Sequence, residues 1–140
     1  MKSKVILDTS PLVAFIDQGD NFHNWAIKTW KNLAVPLLTC EAVISESCFL
    51  LQRIHGGQEV VMSMLEAGVI KIPLRLDDEI ATIRDLMKRY QDVPMSLADA
   101  CLVRMSELIT GSCVLTLDSD FLVYRKNKNQ IIDLIIPDQL

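Results

Sequence analysis

A chain of 140 residues with a net charge of −4 has the size of one ordinary domain. It is not the basic chain expected of a generic electrostatic nucleic-acid binder. Half of it is apolar, enough for one substantial core, yet no apolar run approaches the roughly 18 residues of a membrane span.

The start, Met1-Lys2-Ser3-Lys4, is basic, but the apolar run behind it stops at Asp8. That is too short for a secretory leader, so the expected location is the cytoplasm, with no membrane association. Cys40, Cys48, Cys101 and Cys113 form no C-x-x-C pair, and His23 and His55 share no ligand spacing with them. The cysteines read as small core residues rather than a zinc site or a disulfide framework.

In chain order, Val5-Ile6-Leu7 predicts a strand over about 4–7, buried on both faces. Asp8 is the first polar residue after it. Ser10 is expected to cap a short helix over 11–17, with Pro11 at its first position. Taken alone, Asp8 reads as part of that helix start. Gly19-Asp20-Asn21 is a break, and 22–33 is a second helix with Phe22, Trp25, Ala26, Trp30 and Leu33 as its core stripe. A second strand follows over 36–39, and Thr39 is expected to cap a helix from 40 to about 54. In that helix Glu46 lies three residues from Val43 and four from Leu50, on one ridge with them. This reading puts a carboxylate on the border of the buried face, too far in to be a cap.

Gly56-Gly57 leads into a helix over 58–66, Gly68 ends it, and 69–72 is a third strand. Residues 77–90 form a long amphipathic helix with Ile80, Ile83, Leu86, Met87 and Tyr90 facing in. Its Arg84, Lys88 and Arg89 complement the helix dipole. After a turn, Ser96 caps a mostly apolar helix over 97–109, with Asp99 three residues on in the manner of a capping box. Residues 113–117 are a fourth strand, followed at once by Asp118-Ser119-Asp120. Residues 124–129 read as a small basic loop, and 131–136 as a fifth strand closed by Pro137. No repeat or linker interrupts the chain, so one domain over 1–140 is expected. Strands alternating with helices predict an α/β fold, a three-layer α/β/α sandwich on a central parallel sheet of about five strands.

A parallel sheet gathers all strand carboxyl ends at one edge, so Asp8 and Asp118 share that edge. Asp99 is expected at the opposite edge if its helix is a full antiparallel crossover, but the crossover from Asp77 to Gly111 holds two helices, and a steep tilt or the second helix of such a pair could bring Asp99 to the edge of Asp8. Glu46 needs a tilt that topology does not supply. Residue patterns thus leave the acids as a cluster not yet assembled.

Four segments together resemble the PIN-domain nucleases, close to the VapC-type toxin ribonucleases. They are Val5-Ile6-Leu7-Asp8-Thr9-Ser10-Pro11-Leu12-Val13-Ala14, Leu38-Thr39-Cys40-Glu41-Ala42-Val43-Ile44-Ser45-Glu46, Asp92-Val93-Pro94-Met95-Ser96-Leu97-Ala98-Asp99-Ala100 and Leu115-Thr116-Leu117-Asp118-Ser119-Asp120-Phe121. The resemblance implies an acidic quartet at Asp8, Glu46, Asp99 and Asp118, with Asp120 as a second acid of the last motif. It implies a Mg²⁺- or Mn²⁺-dependent endoribonuclease that leaves a 5′-phosphate and a 3′-hydroxyl. Asp8 and Asp99 would be the principal metal ligands, and Asp118 would hold the ion directly or through water. Glu46 would orient or deprotonate the attacking water, while Thr9 and Ser10 either contact a ligand or cap the helix. Hard divalent ions take such oxygen ligands, and clustered carboxylates raise one another's pKa when no ion is bound. The resemblance further implies a homodimer and the toxin half of a toxin–antitoxin pair, with an RNA substrate and a small antitoxin as partners. The alternative within the fold is a DNA- or RNA-processing nuclease, or an RNA-binding module, outside such a pair. A phospho-receiver domain fits poorly, since the first strand ends in the single Asp8 and the third and fifth run into Pro73 and Pro137. A haloacid-dehalogenase-like phosphatase wants an acid where Ser10 stands.

Overall fold

The computed structural model describes residues 4–140; Met1, Lys2 and Ser3, the start of the basic N-terminus, lie outside the described residues. Strand β1 (Val5–Leu7) sits in the middle of a five-stranded, wholly parallel sheet. On one side of it lie β2 (Leu37–Leu38) and then β3 (Ile70–Lys71); on the other lie β4 (Cys113–Leu115) and then β7 (Leu134–Ile135). Val5, Ile6 and Leu7 face Cys113, Val114 and Leu115 in register. All three β1 residues are completely buried, as a strand covered on both faces must be.

Side chains alternate across the sheet, and two apolar clusters follow from that. Ile6 and Val114 point to the side covered by α5 (Leu76–Arg89) and α6 (Leu97–Leu108). Val5, Leu7, Cys113 and Leu115 point to the side covered by α1 (Thr9–Ile16), α3 (Glu41–Leu51) and α4 (Gly57–Glu66). The expected three layers are therefore present. Helix α2 (His23–Trp30) packs outside α1, where Trp30 stacks on Phe15 with ring centroids 4.1 Å apart. Among the described residues no helix is long and apolar enough to cross a membrane.

Several local expectations are corrected. Helix α1 starts at Thr9, so its cap is Asp8 and not Ser10, and Pro11 is its third residue. Pro11 is tolerated there because the first four N–H groups of a helix have no partner within it. Thr39 does not cap α3: its hydroxyl donates to the Leu7 carbonyl (2.7 Å), and Cys40 holds the cap position without a side-chain bond. Ile80 faces outward at 52% exposure, because Glu79 takes the inward place at that level and pairs with Arg104 at 2.6 Å. The expected fifth strand is divided. Gln130–Ile131 (β6) turns back antiparallel onto Arg125–Lys126 (β5), and only Leu134–Ile135 joins the main sheet. The tight turn of that hairpin uses positive φ at Asn127 and Lys128, and the Asn127 amide donates to Glu107 Oε2 at 2.6 Å.

The main topological correction concerns α6. Residues 109–112 lead from its end directly to the amino end of β4, so its start stands at the carboxyl edge of the sheet. A helix antiparallel to the strands that finishes at the amino edge must have begun at the other. Asp99 therefore belongs to the edge of Asp8 and Asp118, not the opposite one. Helix α5 runs antiparallel to α6. Glu79 near its start meets Arg104 late in α6, while Tyr90 just past its end meets Tyr124, which bonds Asp99 early in α6.

Candidate active site

Asp8 leaves the sheet where β1 ends. Its N–H still donates to the Leu115 carbonyl (3.0 Å), so the backbone is held in the ladder up to the residue that starts α1. The side chain is 5% exposed. Its Oδ1 accepts from the Thr9 N–H (2.7 Å) and its Oδ2 from the Thr116 hydroxyl (2.7 Å). Burial pushes its pKa up to about 7. The two hydrogen bonds oppose that rise, and the charges of Asp99 and Asp118 add to it.

Asp118 is tied to the same hydroxyl from the other side. Its N–H donates to Thr116 Oγ1 (2.9 Å), and its Oδ1 accepts from the Asp120 N–H (2.9 Å), capping the single 3₁₀ turn Ser119–Leu122. Thr116 thus links the acids of β1 and of the segment after β4. Asp99 enters from α6, where its N–H donates to Ser96 Oγ (3.0 Å), the expected cap. Its Oδ2 accepts from the Tyr124 hydroxyl (2.8 Å). Burial raises the Asp99 pKa, and the Asp118 charge raises it further, against hydrogen bonds from Tyr124 and Ser96. The Tyr124 hydroxyl is pushed upward in turn by burial and by its bond to Asp99, so it stays protonated and donates.

The structure therefore brings Asp8, Asp99 and Asp118 into one electrostatic neighbourhood. Asp120 stands beside it, acting on Tyr124 through its charge and on Asp118 through its amide. Glu46 is not joined to this set by any hydrogen bond or ion pair. It is exposed, and the ridge it shares with Leu50 is itself open, Leu50 being 42% exposed. The expectation of a carboxylate at the border of the buried face is thus corrected; the buried polar residue of that helix is Ser47. Glu46 lies five residues into α3, about 8 Å along an axis that starts at the carboxyl edge. The Thr9 hydroxyl is buried beside Asp8 without a partner, and Ser10 is half-buried.

Two functional candidates escape the sequence reading, Thr116 and Tyr124. Thr116 had a signal, as the lone polar residue of Cys113-Val114-Leu115-Thr116-Leu117. Tyr124 had none beyond its place one 3₁₀ turn after the buried Phe121.

The donor set is all carboxylate and hydroxyl oxygen, the chemistry of a hard divalent ion. Among the described residues no group of three or more His, Cys, Asp or Glu side chains is placed to hold a metal ion together. Mg²⁺ does not need such a group, since it keeps several waters and takes only one or two protein carboxylates. In chemical type the residues fit such an ion.

The family model of the PIN domain matches residues 5–127. No curated protein matches the chain. Among solved structures, the crystal structure of Mycobacterium tuberculosis VapC20, a sarcin-ricin loop cleaving toxin, is similar with a TM-score of 0.68. The two are 21% identical, over 83% of this chain and 91% of that one. At that identity the likeness speaks for the shared fold.

Proposed function

This chain belongs to the PIN-domain family, and on that premise we propose that it is a Mg²⁺- or Mn²⁺-dependent endoribonuclease, the toxin of a toxin–antitoxin pair. The observation that carries the reading is the convergence of Asp8, Asp99 and Asp118 from β1, α6 and the end of β4, with a buried Asp8 that feels the other two charges. Three carboxylates gathered in this way are costly without a cation, since each disfavours ionisation of its neighbours.

When bound, a divalent ion supplies positive charge to this set and polarises a phosphodiester. Asp8 and Asp99 would be the principal ligands. Asp118 would hold the ion directly or through water. Thr116 fixes the rotamer of Asp8 through Oδ2, and Ser96 and Thr9 N–H fix the helix starts that carry Asp99 and follow Asp8. Glu46, exposed on α3, orients the attacking water and accepts its proton. Hydrolysis leaves a 5′-phosphate and a 3′-hydroxyl. Asp120 shapes the turn that aims Asp118, the half-buried Ser10 offers its hydroxyl to the substrate, and the buried Thr9 supports Asp8 from beneath through its N–H.

RNA is favoured as substrate because VapC20, a toxin on the same fold, cleaves the sarcin-ricin loop. The net charge of −4 fits binding that depends on the cation rather than on a basic surface. In this reading residues 1–140 are one domain acting in the cytoplasm as a homodimer held in check by a small antitoxin. The test incubates the purified protein with a structured RNA and a DNA of the same sequence, with Mn²⁺, with Mg²⁺ and with EDTA. Metal-dependent internal cuts in RNA alone are expected. Equal cutting of DNA overturns the substrate assignment, and cutting in EDTA overturns the metal assignment.

A further inference from the structure

We propose that Tyr124 is a positioning residue that sets Asp99 for the ion, an inference that rests on the metal-dependent reading above. Tyr124 is completely buried, and its hydroxyl donates to Asp99 Oδ2 at 2.8 Å. Its ring has little freedom. Phe121 meets it edge-on at 5.1 Å and 84°, and Tyr90 at 5.2 Å and 67°. Tyr90 is itself tied down, its hydroxyl accepting from the Arg125 N–H at 3.0 Å. The phenol oxygen therefore occupies one place, and Asp99 turns to meet it.

The origin of Tyr124 in the chain gives this bond its purpose. Asp99 comes from α6, whereas Tyr124 follows Asp118 by one short turn. The Tyr124–Asp99 bond ties the carboxylate of α6 to the segment that carries Asp118. Thr116, at the other end of that segment, ties Asp8 to it in the same way. Residues 116–124 thus form a bracket with a buried hydroxyl near each end, one for each principal ligand. A donor on a carboxylate also withdraws charge, which by itself weakens metal binding. Orientation outweighs that loss: removing the groups that orient metal ligands costs about 10- to 100-fold in affinity.

Calorimetric titration with Mn²⁺ at pH 7.5 tests this on the parent, Tyr124→Phe and Asp99→Asn. Tyr124→Phe deletes one hydroxyl and keeps the ring. It is expected to bind Mn²⁺ about tenfold or more weakly, to keep the parent's near-UV circular dichroism, and to regain RNA cleavage as Mn²⁺ is raised. Phe121→Leu, which loosens the ring without touching a hydroxyl or an acid, is expected to weaken Mn²⁺ binding too, and serves alone if Tyr124→Phe does not fold. Parent-like or tighter affinity in these variants, while Asp99→Asn has lost binding, overturns the role of Tyr124 only. No binding by the parent, or parent-like binding by Asp99→Asn, overturns the metal reading and this inference with it.

Discussion

Raising the pH from about 4 to about 7 in EDTA is expected to destabilise the protein through Asp8. In the unfolded chain this carboxyl titrates at its ordinary 3.8, and in the fold burial lifts it to about 7. The gap of about three pH units corresponds to about 4 kcal/mol. The sign follows from which state loses its proton first. Below pH 3.8 both states hold the proton and the contribution is fully present. Between the two values only the unfolded chain ionises, so stability falls, and above about 7 the loss is complete. Asp99, also raised, acts in the same direction.

Asp8→Asn removes the buried charge at nearly constant shape. The amide oxygen keeps the Thr9 N–H. The new NH₂ faces Thr116, whose hydroxyl has two lone pairs and gives one to the Asp118 N–H, so it turns and accepts. At pH 7.5 in EDTA the variant is expected to be more stable than the parent by about 2–4 kcal/mol. With about 2.1 cal/mol/K of unfolding entropy per residue, that is a rise in Tm of roughly 7–14 °C. Circular-dichroism melts from pH 4.5 to 8 measure both effects. A parent Tm that stays flat across this window, or an Asn variant that melts below the parent at pH 7.5, would refute the reasoning.

Two further outcomes are expected. Thr116→Val leaves the Asp118 N–H and Asp8 Oδ2 without their shared partner; a loss of about 1–3 kcal/mol in chemical denaturation, with at least a tenfold drop in RNA cleavage, separates it from a mere packing residue. Arg104→Met strands the carboxylates of Glu79 and Glu107, which Arg104 meets at 2.6 and 3.1 Å; about 1–3 kcal/mol should be lost, with cleavage unchanged well below the Tm because this ion pair stands away from the acids.

The parts of the fold that the sequence discloses are those written in local patterns. Val5-Ile6-Leu7 and Cys113-Val114-Leu115 are apolar runs closed by an acid or a turn, so both the buried strands and the shared edge of Asp8 and Asp118 could be read from them. Local pattern leaves the edge of Asp99 open between a single crossover helix and the second of two; a helix feeding β4 must end at the amino edge, and that direction settles it. The burial of Glu46 is not legible from spacing alone, because the ridge through Val43 and Leu50 is not uniformly buried and the inward stripe of α3 runs through Ser47 instead. The run from Ile131 to Ile136 reads as one strand, broken only at Asp133, and the hairpin that divides it depends on a turn anchored by distant Glu107. The links through Thr116 and Tyr124 join residues 108 and 25 positions apart, a separation that no local pattern reports.

The central claim is that the acids at the carboxyl edge of the sheet perform the cleavage. Single-turnover cleavage of a structured RNA at saturating Mn²⁺, by the parent and by Asp8→Asn and Asp99→Asn shown to be folded by circular dichroism, tests it most directly. Each substitution is expected to slow cleavage by about 100-fold or more, the scale on which loss of charge stabilisation in a transition state is felt. Folded variants that cut at the parent's rate would contradict it.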